Sequence, residues 1–162
     1  FIEVGAYDGV ALSNTYTLEK DFGWDGICVE CNPDIVPQLR QNRKCAIEEN
    51  PVTHMSGIEF PFYSHAADLA LSRLAPAGHA VDLATGEKFQ AQYVLIDIDY
   101  ISIDTEGAEL GIISTFDFKK YNVSCWTVEH NNERDRTMFV GNFFYFQGYK
   151  IEKREWDLFC WK

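Results

Sequence analysis

The stretch Phe1-Ile-Glu-Val-Gly-Ala-Tyr-Asp-Gly9 decides the fold. Phe1, Ile2 and Val4 favour a buried strand, Glu3 interrupts them, and the chain then turns abruptly to Gly5 and Gly9. A helical pattern opens a few residues later, where Ser13-Asn14-Thr15 supplies capping residue types for a helix from Thr15 to Asp21 that ends near Gly23. Strand, glycine-bearing turn and helix are the way a nucleotide-binding half-fold begins. Glycine lets the backbone approach a ligand and take φ values that other residues resist. The helix start offers free N–H groups to a negatively charged ligand group. An ordinary βα turn has the same local look, so the neighbouring segments must decide.

Working outward, Gly26-Ile-Cys-Val-Glu30 reads as a second strand. It ends on Glu30, about twenty residues after the glycine loop, the spacing at which a strand-end carboxylate in a parallel sheet meets both hydroxyls of a ribose. Asn32-Pro33 opens a further helix, with proline early, where its missing N–H costs little. Lys44 to Ile47 suits a third strand. Residues 50–98 are punctuated by Pro51, Pro61, Pro76, Gly57, Gly78 and Gly86. Within them Ile58 to Tyr63 suits a strand and Ala66 to Leu74 has helical composition, and the segment reads equally as a lid or as a surface excursion.

Regularity returns with the strand Tyr93 to Ile103, which leads into Asp104-Thr-Glu106-Gly107-Ala-Glu109. Buried carboxylates are costly without partners, so these acids are expected at the carboxyl edge of a sheet. A helix follows with Leu110, Ile113 and Phe116 on one face. Val123 to Val128 is another strand, ending on Glu129-His130-Asn131. Asn132 suits the cap of the next helix, whose stripe Phe139, Phe143 and Phe146 reads as core and which Gly148 closes. Tyr149 to Ile151 and Leu158 to Trp161 suit a terminal hairpin. This alternation indicates an α/β protein: a Rossmann-like three-layer sandwich with a mostly parallel sheet and a C-terminal antiparallel hairpin. Gly5 to Gly9, Asp104 to Glu109 and Glu129 to Asn131 then fall at equivalent strand ends, the edge at which such sheets bind ligands.

At 162 residues the chain suits one domain, 1–162, and 46% hydrophobic residues suffice for a core. The net charge of −11 repels phosphate backbones, so nucleic acid is not an expected partner. No apolar run reaches the length of a membrane span. The first residue lies inside a strand and is not methionine, so upstream sequence is expected, and a signal or anchor there stays open. Five cysteines without framework spacing favour reduced thiols and a cytoplasmic compartment. Cys28 and Cys31 make a C-x-x-C, but residues three apart on a strand face opposite sides, and both read as small core side chains.

Four segments resemble the FkbM-type methyltransferases, a branch of the S-adenosylmethionine-dependent class I enzymes. They are Phe1 to Gly9 with Ser13-Asn-Thr15; Gly26-Ile-Cys-Val-Glu-Cys-Asn-Pro33; Asp99-Tyr-Ile-Ser-Ile-Asp-Thr-Glu-Gly-Ala-Glu109; and Val128-Glu-His-Asn131. The most specific is Asp104-x-Glu106-Gly107-x-Glu109, while residues 50–98 match poorly. The resemblance implies a seven-stranded sheet, S-adenosyl-L-methionine as cofactor, and O-methylation of a hydroxyl on a small-molecule or glycan acceptor. It implies cofactor contacts from Glu3, Gly5, Tyr7, Asp8, Gly9, Ser13, Asn14, Glu30, Cys31, Asn32 and Asp104, and catalytic roles for Asp104, Glu106 and His130. His130 or Asp104 would serve as general base. Asp104, Glu106 and Glu129 are also hard oxygen donors of the kind that hold Mg²⁺, but such carboxylates equally orient a cofactor or a hydroxyl, and no metal is assigned. A nicotinamide oxidoreductase fits less well, because Tyr7 stands where G-x-G-x-x-G needs its second glycine. A catalytically inactive cofactor-binding or scaffold domain is the other alternative.

Overall fold

The computed structural model describes residues 1–53 and 97–162, together with the backbone of two short strands between them. In chain order the elements are β1 (Ile2–Val4), α1 (Tyr16–Phe22), β2 (Ile27–Val29), α2 (Val36–Asn42), β3 (Ala46–Glu48), β4 (Phe62–Tyr63), β5 (Arg73–Leu74), β6 (Asp97–Ile103), α3 (Glu109–Thr115), β7 (Asn122–Glu129), α4 (Arg134–Phe146), β8 (Lys150–Lys153) and β9 (Asp157–Trp161). Seven strands form one sheet in the order β3-β2-β1-β6-β7-β9-β8, while β4 and β5 pair separately. The first four neighbouring pairs, from β3 to β7, are parallel, and β9 runs antiparallel to both β7 and β8. The chain therefore winds outward from β1 to β3, crosses over, and winds outward again from β6. The reversal lies between β1 and β6, and ligand crevices in open α/β sheets form there, at the strands' carboxyl ends.

Register explains how the two faces differ. Val29, Val4, Ile103 and Val128 form one row across four strands, and Ile27, Ile2, Ile101 and Trp126 form another. These rows meet Ile112 and Ile113 of α3 and Val140 and Phe144 of α4 in the main core. The Trp126 ring packs edge-on to Phe116 at 4.8 Å and lies 5.3 Å from Phe144. The row between them points to the other face and is polar: Cys28, Glu3, Ser102 and Thr127, each buried. A smaller cluster of Phe1, Cys28, Leu39 and Tyr100, with Leu18 against it, covers that face beneath α1 and α2.

Glu3, an interruption in the sequence pattern, is the centre of this second face. Its carboxylate accepts from Ser13 Oγ at 2.9 Å, the Asn14 amide at 2.7 Å, Thr15 Oγ1 at 2.6 Å and Arg43 Nη1 at 3.2 Å. The Arg43 side chain has no exposed surface. Besides Glu3 it donates to Glu19 at 2.7 Å, to the Gly9 carbonyl at 3.2 Å and to Thr15 Oγ1 at 2.8 Å, and its guanidinium lies 5.3 Å from the Phe1 ring. One cation thus ties the glycine loop, α1 and the end of α2 to β1.

Several local expectations change. The second helix begins at Val36, after a turn over residues 33–35, and the proline of its first turn is Pro37 rather than Pro33. Ser13 provides the capping oxygen for α1, accepting from the Tyr16 amide at 3.0 Å. Asn132 does not cap α4; the cap position is Glu133, and Asn132 has a left-handed backbone, φ 57°. The stripe Phe139, Phe143 and Phe146 is not the core face. Phe139 and Phe146 are exposed, and the buried positions are Val140 and Phe144, because the apolar residues of α4 run around the helix and the sheet takes only one side. Arg73–Leu74 is a strand where Ala66 to Leu74 suggested helix, and the rest of that stretch lies outside the described residues. So does Ile58 to Tyr63, apart from the strand at Phe62–Tyr63. No helix among the described residues is long and apolar enough to cross a membrane.

Breaking a buried ion pair from one side leaves an uncompensated charge, which costs about 3–5 kcal/mol. Arg43→Met is therefore expected to lower the unfolding free energy by about that amount in urea titration. A loss under about 1 kcal/mol would show that Glu3 is held adequately without the guanidinium.

Candidate active site

The carboxyl ends of β1, β2, β6 and β7 lie along one edge, and the loops leaving them carry most of the residues singled out in the sequence. Gly5 leaves β1 with φ 84°, and a Cβ there would lie 1.5 Å from the Asp104 carbonyl oxygen. The exits of β1 and β6 thus touch, and only glycine fits. Gly9 has φ 79°, and a Cβ there would lie 2.6 Å from both Arg43 Cγ and Leu39 Cδ1. Both glycines are therefore required by the protein's own packing. Asp8 closes the loop by accepting from the Val10 and Ala11 amides at 2.9 and 2.8 Å.

Glu30 stands at the end of β2 beside this loop. Its two oxygens accept from the Tyr7 amide at 2.9 Å and the Asn32 amide at 2.8 Å. Burial pushes its carboxyl above the ordinary range, and the amides of Asn32, Tyr7 and Cys31 pull it back. The half-buried Cys31 thiol is pushed up to about 12, by burial first and by Glu30 second. Asn32 is buried and turns the chain by accepting from the Asp34 amide at 3.1 Å. Asn14 crosses to the β6 side, its Nδ2 donating to Ser102 Oγ at 3.0 Å. Of the expected cofactor residues, Gly5, Tyr7, Asp8, Gly9, Glu30, Cys31, Asn32 and Asp104 line the loops of this edge. Glu3 and Ser13 sit beneath, in the Arg43 network.

The second half of the edge is acidic. Asp104, Glu109 and Glu129 bring carboxylate oxygens within 4.8 Å of one another, a set that contains Glu109 rather than Glu106. Glu109 is fully buried and committed: Oε1 accepts from the Thr105 amide, Thr105 Oγ1 and the Gly107 amide, and Oε2 accepts from Arg136 at 3.0 Å. Asp104 and Glu129 form a closely coupled pair. Burial raises both above the ordinary carboxylate range; Glu106, Asp157 and Glu109 push Asp104 further up, and Asp104 pushes Glu129 further up. Asp157, opposite Glu129 in the β7–β9 register, is raised by burial and lowered by His130.

His130 has no exposed surface. Its Nδ1 accepts from the Asn132 amide at 2.9 Å, which places the proton of the neutral ring on Nε2. That Nε2 has no partner among the described residues. The five non-glycine residues of positive φ among the described ones, Tyr7, Leu12, Glu106, Asn131 and Asn132, all lie in the loops after β1, β6 and β7. Backbone strain of this kind persists where surrounding structure over-determines it, as it does at binding and catalytic sites. Arg43 escaped the sequence reading as a site residue, and Thr15 was read only as a capping type and as part of a family segment. The signal was Glu3 itself, since a carboxylate in a buried strand requires a cation from elsewhere in the chain.

A parallel sheet with one antiparallel strand near its edge, and a glycine loop and acidic strand ends at its switch point, defines the class I methyltransferase fold. Two solved structures share it. The precorrin-6y C5,15-methyltransferase of Geobacter metallireducens superposes with a TM-score of 0.54 at 13% identity, covering 98% of this chain and 75% of that one. A candidate RNA methyltransferase of Pyrococcus horikoshii superposes with a TM-score of 0.52 at 12% identity, covering 99% and 71%. At these identities the likeness is one of fold. No curated protein sequence matches the chain. The methyltransferase FkbM domain model matches residues 3–151, and the chain belongs to that family.

The acid pair has a consequence for stability. Folded-state values above the unfolded ones mean that the native state binds more protons, so the pair's contribution is fully present below about pH 4 and is lost as pH rises through the folded values. Glu129→Gln removes one acid and lets Asp104 relax. The loss of unfolding free energy between about pH 5 and about pH 9 is expected to shrink by on the order of 1–3 kcal/mol relative to the parent. Parallel stability profiles would show that the two acids do not share a proton.

Proposed function

We propose that the chain is an S-adenosylmethionine-dependent O-methyltransferase whose acceptor is a hydroxyl of a sugar, glycan or other natural product. The observation that carries the cofactor assignment is Glu30, held against the β1 loop through the Tyr7 amide. The donor set fits the group. A carboxylate offers about four acceptor sites, and the Tyr7 and Asn32 amides engage one on each oxygen, which keeps acceptor capacity for a vicinal diol. Family membership supports methyl transfer as the reaction. A G-x-G-x-x-G loop suited to a nicotinamide cofactor is absent from this position, since Tyr7 donates its amide to Glu30 with φ 49°.

Bound S-adenosylmethionine supplies a methyl group already activated on a sulfonium. The protein's task is to hold an acceptor oxygen in line with it and to take the acceptor's proton. Asp104 is the favoured base. It stands at the end of β6, in contact with the β1 exit through Gly5, and burial and neighbouring acids strengthen it as a base near neutral pH. Asp104 is the member of the pair beside the β1 exit, and it is therefore the one assigned to accept. His130 is less suited, because Nδ1 already accepts a backbone amide and Nε2 carries the proton. It holds the Glu129–Asn132 turn instead. The net charge of −11 argues against a polyanionic acceptor such as RNA.

Calorimetric titration with S-adenosylmethionine tests the cofactor. The parent chain is expected to bind, and Glu30→Ala to lose about 2–4 kcal/mol of affinity, the worth of two hydrogen bonds, charge-assisted or neutral. Unchanged affinity would remove Glu30 from the site. The reaction is tested by incubating labelled cofactor with a panel of hydroxylated acceptors. Asp104→Asn is expected to cut turnover by about 10²–10⁴-fold with cofactor affinity retained. Binding without transfer to any acceptor would favour a scaffold domain.

A further inference from the structure

Away from this edge, the polar row under α1 and α2 ends at Cys28, which meets a second thiol from the bend before β3. Cys28 lies in the middle of β2 and is fully buried. Cys45 precedes β3 and is half-buried. Their sulfurs are 3.4 Å apart, in van der Waals contact. We infer that Cys28 and Cys45 are a site of reversible oxidation, closing to a disulfide when a hydroperoxide reaches Cys45.

Three features carry this. The first is proximity: the sulfurs need to approach by a little over 1 Å to reach the disulfide bond length of about 2.05 Å. Cys28 is fixed within a strand, but Cys45 sits in a bend before β3, where side-chain rotation can close the gap. The second is access. Cys45 lines a cleft of about 220 Å³ beside the end of α1, together with Glu19, Trp24 and Lys44, which admits a molecule as small as hydrogen peroxide. The third is the chemistry of the pair. The hydrogen bond with Cys28 holds the Cys45 thiol below its usual range and Arg43 adds to this, while burial and Glu19 oppose it. Cys28 is raised, by its hydrogen bond with Cys45 first and by burial second. Cys45, the more exposed of the two, is the thiol a peroxide meets first, and Cys28 is the partner in contact with it. An accessible thiol with a second thiol in contact is the arrangement of an attacking and a resolving cysteine.

The steps balance. Cys45 thiolate attacks one peroxide oxygen; the S–O bond forms, the O–O bond breaks, and hydroxide leaves, giving the sulfenic acid. Cys28 sulfur then attacks Cys45 Sγ; the S–S bond forms and the S–O bond breaks, and the departing hydroxide takes the Cys28 proton as water. Two thiols lose two electrons in total, and one peroxide is reduced to two waters. A dithiol reductant reverses the change.

Oxidation would not be silent. Cys28 Sγ is 3.7 Å from Glu3 Oε2, and Cys45 is two residues from Arg43. Drawing the sulfurs together pulls on both partners of the pair that secures Ser13, Asn14 and Thr15. That loop is the one assigned above to the cofactor, so any effect on methyl transfer rests on that assignment, whereas the disulfide itself does not.

The test uses the full reduced chain and hydrogen peroxide in small excess. Free thiols are expected to fall from five to three, with dithiothreitol restoring all five. Trypsin cuts after Arg40, Arg43 and Lys44, so Cys28 and Cys45 fall on separate peptides, and fragment mass spectra should show them linked. Cys45→Ser, a change at a half-buried position, should abolish the link and leave Cys28 free, while Cys125→Ser should leave it intact. Retention of five thiols, or a link through Cys31, Cys125 or Cys160, would overturn the proposal. Hydrogen exchange reads the loop without any ligand. The Asn14 amide, which donates to Glu3, should exchange at least fivefold faster in the oxidised chain, and equal rates would overturn the coupling to the loop.

Discussion

Glu3 is a carboxylate buried in β1, and its partnership with Arg43 is the constraint on which the β1 loop depends. An unpaired carboxylate in that position would be strongly disfavoured. The chain meets the requirement with a cation forty residues later, sandwiched near the Phe1 and Tyr16 rings at 5.3 and 6.0 Å. Arg43 offers several donors in a fixed fork, and they reach two carboxylates, a backbone carbonyl and two hydroxyls. Lysine has no such geometry. The loop's hydroxyls are consumed by this arrangement, as is the space beside Gly9. The β1 loop is therefore fixed before any ligand arrives, and the pre-organisation leaves the Tyr7 amide and Glu30 to define the rim.

This accounts for which parts of the protein were legible in the sequence. Strands whose apolar runs are long or end on glycine, such as those at Val4, Ile103 and Val128, were read closely at their carboxyl ends, because two-sided burial in a parallel sheet imposes continuous β-formers, while residues 93–96 of the expected Tyr93 to Ile103 strand lie outside the described residues. The polar clusters at the carboxyl edge followed from the same pattern. Arg43 was not legible. It lies beyond a short helix among Arg40, Gln41, Asn42 and Lys44, all of surface type, and nothing local distinguishes it. Its role is set by contacts with residues 3, 9, 15 and 19, and separations of that kind leave no periodic trace. The aromatic residues of α4 misled for a related reason: six apolar side chains between Met138 and Phe146 satisfy more than one helical face, and only the position of the sheet selects Val140 and Phe144.

The two halves of the edge differ in how they treat charge. Around Glu3 and Glu30, carboxylates are surrounded by hydrogen-bond donors. Around Asp104 and Glu129, acids face acids. Glu109 draws off the available donors, taking three from the loop and one from Arg136. Asp104 and Glu129 are left to each other and to the Asn131 side-chain amide, which donates to Glu129 at 3.0 Å, and one proton between the acids relieves the repulsion. The same segment, Asp104 to Glu109, thus builds a stable loop from its last acid and, in the function proposed above, supplies the base from its first.

That division has a chemical logic. An ordinary surface carboxylate is too weak a base to draw a proton from an alcohol at neutral pH, and a strongly hydrogen-bonded one is weaker still. Raising its proton affinity requires withholding donors and adding negative neighbours, and both destabilise the fold. The cost falls where the structure can bear it, because β6 and β7 are bound into the centre of the sheet and the β6 exit is clamped by Gly5 and by the Asp104 amide on the Val4 carbonyl. Left-handed backbone at Glu106, Asn131 and Asn132 belongs to the same account, since those turns hold the acids in place against their repulsion. Stability and reactivity are traded against each other at this edge. A variant that relaxes the acid pair should be the more stable protein and the poorer catalyst.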